Sequence, residues 1–168
     1  MRPLRLRHAL FALCLTLPAI AGAQEKEKAA PRPDPAIAPQ LQALDYKYEI
    51  DDDGDYKLVF DMDEEGKRTQ LVFVRSAVEE YAGQKVREVI SPGYEGNAAG
   101  FPANVANRLL EASLDSIMGS WGKQDNIAVF SVRIPADADK ETLDAAITAA
   151  INSADQMEAE LTPGKDEF

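Results

Sequence analysis

The chain has 168 residues, with 29 acids against 18 Lys and Arg, a formal net charge of −11, one Cys and one His. A field of that sign repels nucleic acid and anionic lipid, so neither is expected as a partner. The length suits one domain, and without a pair of cysteines its core must be held by packing alone.

Residues 1–23 carry Arg2, Arg5 and Arg7, then the apolar run Ala9 to Leu17, Pro18, and the small-residue exit Ala21-Gly22-Ala23. Basic start, short apolar run and A-x-A exit are the three parts of a secretory signal peptide, and they predict a cut between Ala23 and Gln24. A spanning helix needs about 20 apolar residues. This run is shorter and interrupted by Pro18, so no stable membrane insertion is expected after cleavage. The expected location is periplasmic or secreted.

Cleavage would remove Cys14, His8 and three Arg, and no acid. A chain without thiol or imidazole offers no Cys/His zinc site, no cysteine nucleophile, no Ser-His-Asp triad and no haem attachment. No cofactor, no catalytic residue and no metal site are therefore expected, and the chain is read as not an enzyme.

Residues 24–35, QEKEKAAPRPDP, combine charge with closely spaced prolines and predict a disordered linker. Folding is expected to begin at Ala36 and to continue to Leu161 as a single domain. Ile37, Leu41 and Leu44 recur at helical spacing. From Asp45 the period becomes two: Tyr46, Tyr48 and Ile50 predict a strand, Asp51 to Gly54 a turn, and Tyr56, Leu58, Phe60 and Met62 one face of a second strand. Asp63 to Gly66 turns the chain again before a third strand over Gln70 to Arg75.

A fourth strand is expected from Lys85 to Ser91, stopped by Pro92, with Gly93 to Gly100 as a glycine-rich loop. Pro102 then suits the first turn of a helix running to about Ser116. Its expected buried stripe is Val105, Leu109, Leu110, Leu114 and Ile117. Strands over Met118 to Lys123 and Ile127 to Ile134 follow, joined by a tight turn. The last helix has the cleanest period in the chain: Leu143, Ile147, Ala150, Ile151, Ala154, Met157 and Leu161, with Asp139 as N-cap and Asp144, Thr148, Asn152 and Asp155 facing water. Residues 162–168 are expected to form a disordered tail. The order α-β-β-β-(β)-α-β-β-α predicts an α+β fold with an antiparallel sheet of about five to six strands and helices packed on it.

Three short patterns suggest chemistry. Ser120-Trp121-Gly122-Lys123 matches the S-x-x-K of serine acyltransferases, but the S-D-N and K-T-G partners are missing and the segment reads as a strand, with Trp121 as a packing anchor. Asp51, Asp52, Asp53 and Asp55 around Gly54 invite a calcium reading, yet the EF-hand register would put Phe60 where the bidentate acid belongs. Solvated turn carboxylates explain them better. Gly93, Gly96 and Gly100 precede a helix, but no Lys or Arg lies between Gly93 and Asn107 to receive a phosphate.

The stretches YKYEIDDDGDYKLVF, RTQLVFV, KVREVISPGY, VANRLLEASL, SIMGSWGKQDNIAVFSVRIP and SADQMEAEL, in that order, resemble the YbjN-like domain family. That bacterial family is described as sensory-transduction regulators and is similar in fold to type III secretion chaperones. The resemblance covers about Ile37 to Leu161 and implies a chaperone-like layout and a binding domain. The leading expectation is an exported, non-enzymatic interaction domain that binds a protein partner or self-associates. A small-ligand sensor with its pocket between the Ala103 to Ser116 helix and the sheet stands second, and a hydrolase using only carboxylates third.

Overall fold

The computed structural model describes residues 32–168. The signal-peptide cut at Ala23 and Gln24 lies outside the described residues, as do Cys14 and His8. Elements follow in the order α1 (Ile37–Ala43), β1 (Glu49–Ile50), β2 (Tyr56–Asp61), β3 (Thr69–Tyr81), β4 (Gln84–Glu95), α2 (Ala103–Asp115), β5 (Ser120–Gln124), β6 (Ile127–Pro135) and α3 (Lys140–Leu161). This is the α+β order read from the sequence. The six strands form one antiparallel sheet ordered β1-β2-β3-β4-β6-β5, because α2 carries the chain from β4 out to the far edge and the β5–β6 hairpin returns it. No described helix is long and apolar enough to cross a membrane.

All three helices cover one face of the sheet. Strand alternation sends Leu58, Val72, Val74, Val89, Phe130 and Val132 to that face, where α3 supplies Leu143, Ile147, Ala150 and Ile151 and α1 supplies Ile37 and Leu41. Asp139 caps α3 by accepting the Thr142 N–H at 2.9 Å. Its polar side is less solvated than its pattern suggests: Asp144 accepts from the Tyr46 hydroxyl, and Asp155 pairs with Arg68 at 2.7 Å.

Several boundaries differ from the sequence reading. The first strand keeps only Glu49 and Ile50, because Asp45 takes a φ of 58° and turns Tyr46 onto Phe60, edge to face with ring centroids 5.1 Å apart. β3 is far longer than Gln70 to Arg75, with a bulge between Val74 and Val78. Pro92 does not end β4, and Gly93, Tyr94 and Glu95 belong to it; Pro92 pairs with Val129 of β6. On its β3 side the ladder stops at Ile90, and side chains take over. The Ser91 hydroxyl donates to the Leu71 carbonyl of β3 in place of the missing proline N–H, and the Gln70 amide donates to the Pro92 carbonyl at 2.7 Å and to Ser91 Oγ at 3.0 Å. Gly93 is there for closeness: a Cβ would stand 2.6 Å from the Trp121 ring and 3.1 Å from the Ala154 carbonyl.

The β3 bulge turns its free backbone groups toward buried polar side chains. Arg87, almost fully buried on β4, donates to the Arg75 carbonyl at 2.7 Å and to Asp34 Oδ2 at 2.5 Å. Asp55 accepts the Ser76 N–H at 2.7 Å and pairs with Arg75. The Ser76 hydroxyl donates to the Gly54 carbonyl and accepts the Asp34 N–H, and the Tyr56 hydroxyl donates to the Asp34 carbonyl. Contacts of the domain thus begin at Asp34, inside the segment expected to be linker. The tail is likewise fastened. Asp166 accepts the Thr69 N–H at 3.0 Å, and the Glu167 N–H donates to Glu158 Oε1 at 2.6 Å.

Glu158 is buried near the end of α3, and among the described residues its Oε2 has no hydrogen-bond partner. Burial raises its carboxyl above the ordinary 4.5, against the pull of the Glu167 N–H. Its folded value being the higher, the stability it contributes is intact below the ordinary value and is lost as pH rises through the raised one. Glu158→Gln keeps an acceptor for Glu167 and removes the charge. The variant is expected to melt above the native chain at neutral pH, with the gap closing as pH falls below 4.5. A gap that stays constant across the titration would contradict the buried-charge account.

Candidate apolar ridge and groove

Sequence periodicity assigned five residues of α2 and its exit to a buried stripe. The structure buries Val105 and Leu109 and exposes the other three: Leu110 is 67%, Leu114 86% and Ile117 99% accessible. The reason lies in the sheet beneath the helix. α2 sits over β5, the five-residue edge strand, and only Val105 and Leu109 reach Ala128 and Met157; past β5 there is no further strand to receive a second row. Leu110 and Leu114 are four residues apart and share the outer side of the helix, and Ile117 and Met118 follow, exposed, in the α2–β5 connection.

A groove of about 450 Å³ opens between α2 and α3, on the side of α2 that carries Arg108, Ala112 and Asp115 and away from Leu110 and Leu114. Trp121, Phe130 and Met157 line it, together with the small side chains of Ala112, Ala149 and Ser153, and Ile117 and Met118 belong to its lip. Trp121 stands edge to face on Phe130 with centroids 5.4 Å apart, and its backbone N–H donates to Ser113 Oγ at 2.8 Å. Arg108 on the rim is held by both oxygens of Glu160, at 2.6 and 2.7 Å. Glu111 and Asp115 form no ion pair among the described residues. The groove therefore combines an apolar floor of Trp121, Phe130 and Met157 with Asp115, Ser116, Ser153 and Gln156 around it.

The patterns singled out in the sequence do not assemble a catalytic centre. Ser120 and Lys123 are three apart on β5 and so point to opposite faces of the sheet, and Lys123 lies over the Phe101 ring, 5.7 Å from its centroid. In the acidic turn, Asp51 Oδ1 accepts the Asp53 and Asp55 N–H groups at 3.0 and 2.9 Å, and Asp55 is committed to Ser76 and Arg75. Among the described residues, no three His, Cys, Asp or Glu side chains converge on a common point. The two carboxyls that burial raises, Asp55 and Glu158, lie at the start of β2 and near the end of α3, each tied to a different backbone N–H.

Comparison with protein-family models gives no match for this chain, and no curated protein matches it.

The ridge was missed because a helical period reports which residues share a side, not which side the fold covers. One signal did lie in the sequence: a stripe containing both Leu109 and Leu110 is wider than a five-residue strand bearing Gly122 can cover.

Proposed function

We propose that this chain is an exported, non-enzymatic interaction domain that binds a segment of a protein partner along the outer side of α2 and over the Ile117–Met118 lip of the groove. The observations that carry this reading are the exposure of Ile117 and Met118 at the lip of the groove and of Leu110 and Leu114 on the outer side of α2. Four large apolar side chains exposed within residues 110–118 cost solubility, and exposed apolar surface marks interaction sites. The chaperone-like order implied by the YbjN-like resemblance agrees with it.

A helix face suits this domain better than a sheet edge. β1 has two residues, and β5 has five, one of them Gly122, so neither edge presents a long row of free N–H and C=O groups. The occupant favoured by charge is a segment with apolar anchors and flanking Lys or Arg, which would meet Glu111 and Asp115. A second copy would bring those carboxylates together on a chain already at −11.

A photoreactive residue placed at Leu114 of the exported chain, with the same group at solvent-facing Thr148 of α3 as control, tests the proposal in the native host. The expected result is an adduct of discrete mass from position 114 that Ile117→Asp abolishes and position 148 never gives. An adduct of twice the chain mass would convert the reading to self-association. No adduct specific to position 114 would overturn it. Leu114→Ser, at a side chain 86% exposed, is expected to change stability by less than about 0.5 kcal/mol, as thermal unfolding would show.

A further inference from the structure

We infer that the uncovered face of the sheet carries a second binding site, for an aromatic side chain on an extended, basic segment, and that the chain's own tail partly covers this site in cis. With all helices on one side, β3, β4 and β6 present Leu71, Phe73, Ile90, Pro92 and Val129 on the other, where they line a groove of about 340 Å³. Ile90 and Pro92 are buried there while Leu71, Phe73 and Val129 are only half-buried, and apolar surface of that kind invites further cover. Phe168 lines the same groove. Although it lies in a coil after a run of exposed residues, its own accessibility is reduced to the intermediate range. The molecule thus brings its own ring to the groove, an aromatic side chain delivered by a segment without secondary structure.

The tail reaches the groove by crossing the end of the sheet, and its fastenings show how it is held. Asp166 accepts from both the backbone N–H and the hydroxyl of Thr69, and the Glu167 N–H donates to buried Glu158. None of these is a ladder hydrogen bond between strands. The groove consequently recognises the side chain that enters it, while the flanking contacts fix the approach. An outside segment would need an aromatic residue and no strand register.

Charge makes the tail a poor match for its own seat. Asp51, Asp53 and Asp125 stand at the groove, and the nearby cation Arg75 is already paired with Asp55. Beside this acidic rim the tail brings Asp166 and Glu167. A segment carrying Lys next to its aromatic residue exchanges that repulsion for attraction, so it displaces the tail despite the tail's high local concentration. Apparent affinity for such a segment is reduced by the fraction of time the tail is seated, and removing the ring lifts that reduction.

The test is binding of a fluorescein-labelled Lys-Phe-Lys peptide to the intact chain, to Phe168→Ala and to Asp166→Ala, followed by anisotropy, with Lys-Ala-Lys as control. The expected result is an apparent Kd at least about tenfold lower for Phe168→Ala than for the native chain, a smaller gain for Asp166→Ala, and no binding of the alanine peptide. Equal affinity for native chain and Phe168→Ala would overturn the role of the tail. No binding to any form, or equal binding of the alanine peptide, would overturn the site. Neither result bears on the α2 ridge, which lies on the opposite side of the sheet.

Discussion

Asp34→Ala is expected to lower the unfolding free energy by about 3 kcal/mol, measured by urea denaturation at neutral pH. Removing one partner of a buried ion pair leaves the other charge uncompensated, and Arg87 has only 4% of its side chain exposed. The loss falls at the low end of the usual range because the guanidinium keeps the Arg75 carbonyl. The backbone bonds to Ser76 and Tyr56 hold Asp34 in place independently of its carboxylate. Burial works against ionised Asp34, but the Ala36 N–H and Arg87 outweigh it and hold the carboxyl below its ordinary value. A depressed acid stabilises above its unfolded pKa and loses that contribution as pH falls through the folded one, so the cost of the substitution should shrink in acid. A variant as stable as the native chain would show that the domain begins at Ala36 after all.

The second large effect is expected from Phe130→Ala, at about 3–5 kcal/mol. Phe130 is fully buried at the centre of the helix-covered face, and its ring meets both Trp121 and the backbone of Gly119. Trp121 is the only tryptophan in the chain, so its emission should shift to longer wavelength as the groove floor loosens. Gly119→Ala supplies an internal check. Its Cβ would lie 2.5 Å from the Phe130 ring and 2.6 Å from the Ser131 carbonyl. The substitution should be costly alone and less costly in the Phe130→Ala background, where the ring no longer collides and only the carbonyl remains. Strict additivity of the two losses would mean that the ring contact contributes nothing.

Sheet and helix layers were legible because each rests on a local period. Leu143, Ile147, Ile151 and Ala154 mark α3, and Tyr56 and Leu58 mark β2, whatever surrounds them. Termination was less legible. Pro92 looks like a strand end until the Ser91 hydroxyl donates to the Leu71 carbonyl in its place and Gln70, far away in sequence, donates to the Pro92 carbonyl. Asp34 looks like linker because its partners Ser76, Tyr56 and Arg87 come from three different strands, and no local pattern announces such a convergence. The ridge was hidden for the complementary reason. Apolar residues at helical spacing imply that something covers them, and whether the cover belongs to the same molecule depends on the width of the sheet.

The fastening of Asp34 under the β3 bulge also fixes how the domain responds to a mechanical load. A pull on the chain upstream of Asp34 would not first peel away α1, although α1 is the next element in sequence. It would be borne by Arg87 of β4 and Ser76 of β3, two interior strands of the sheet, and α1 would stay slack until that clasp gave way.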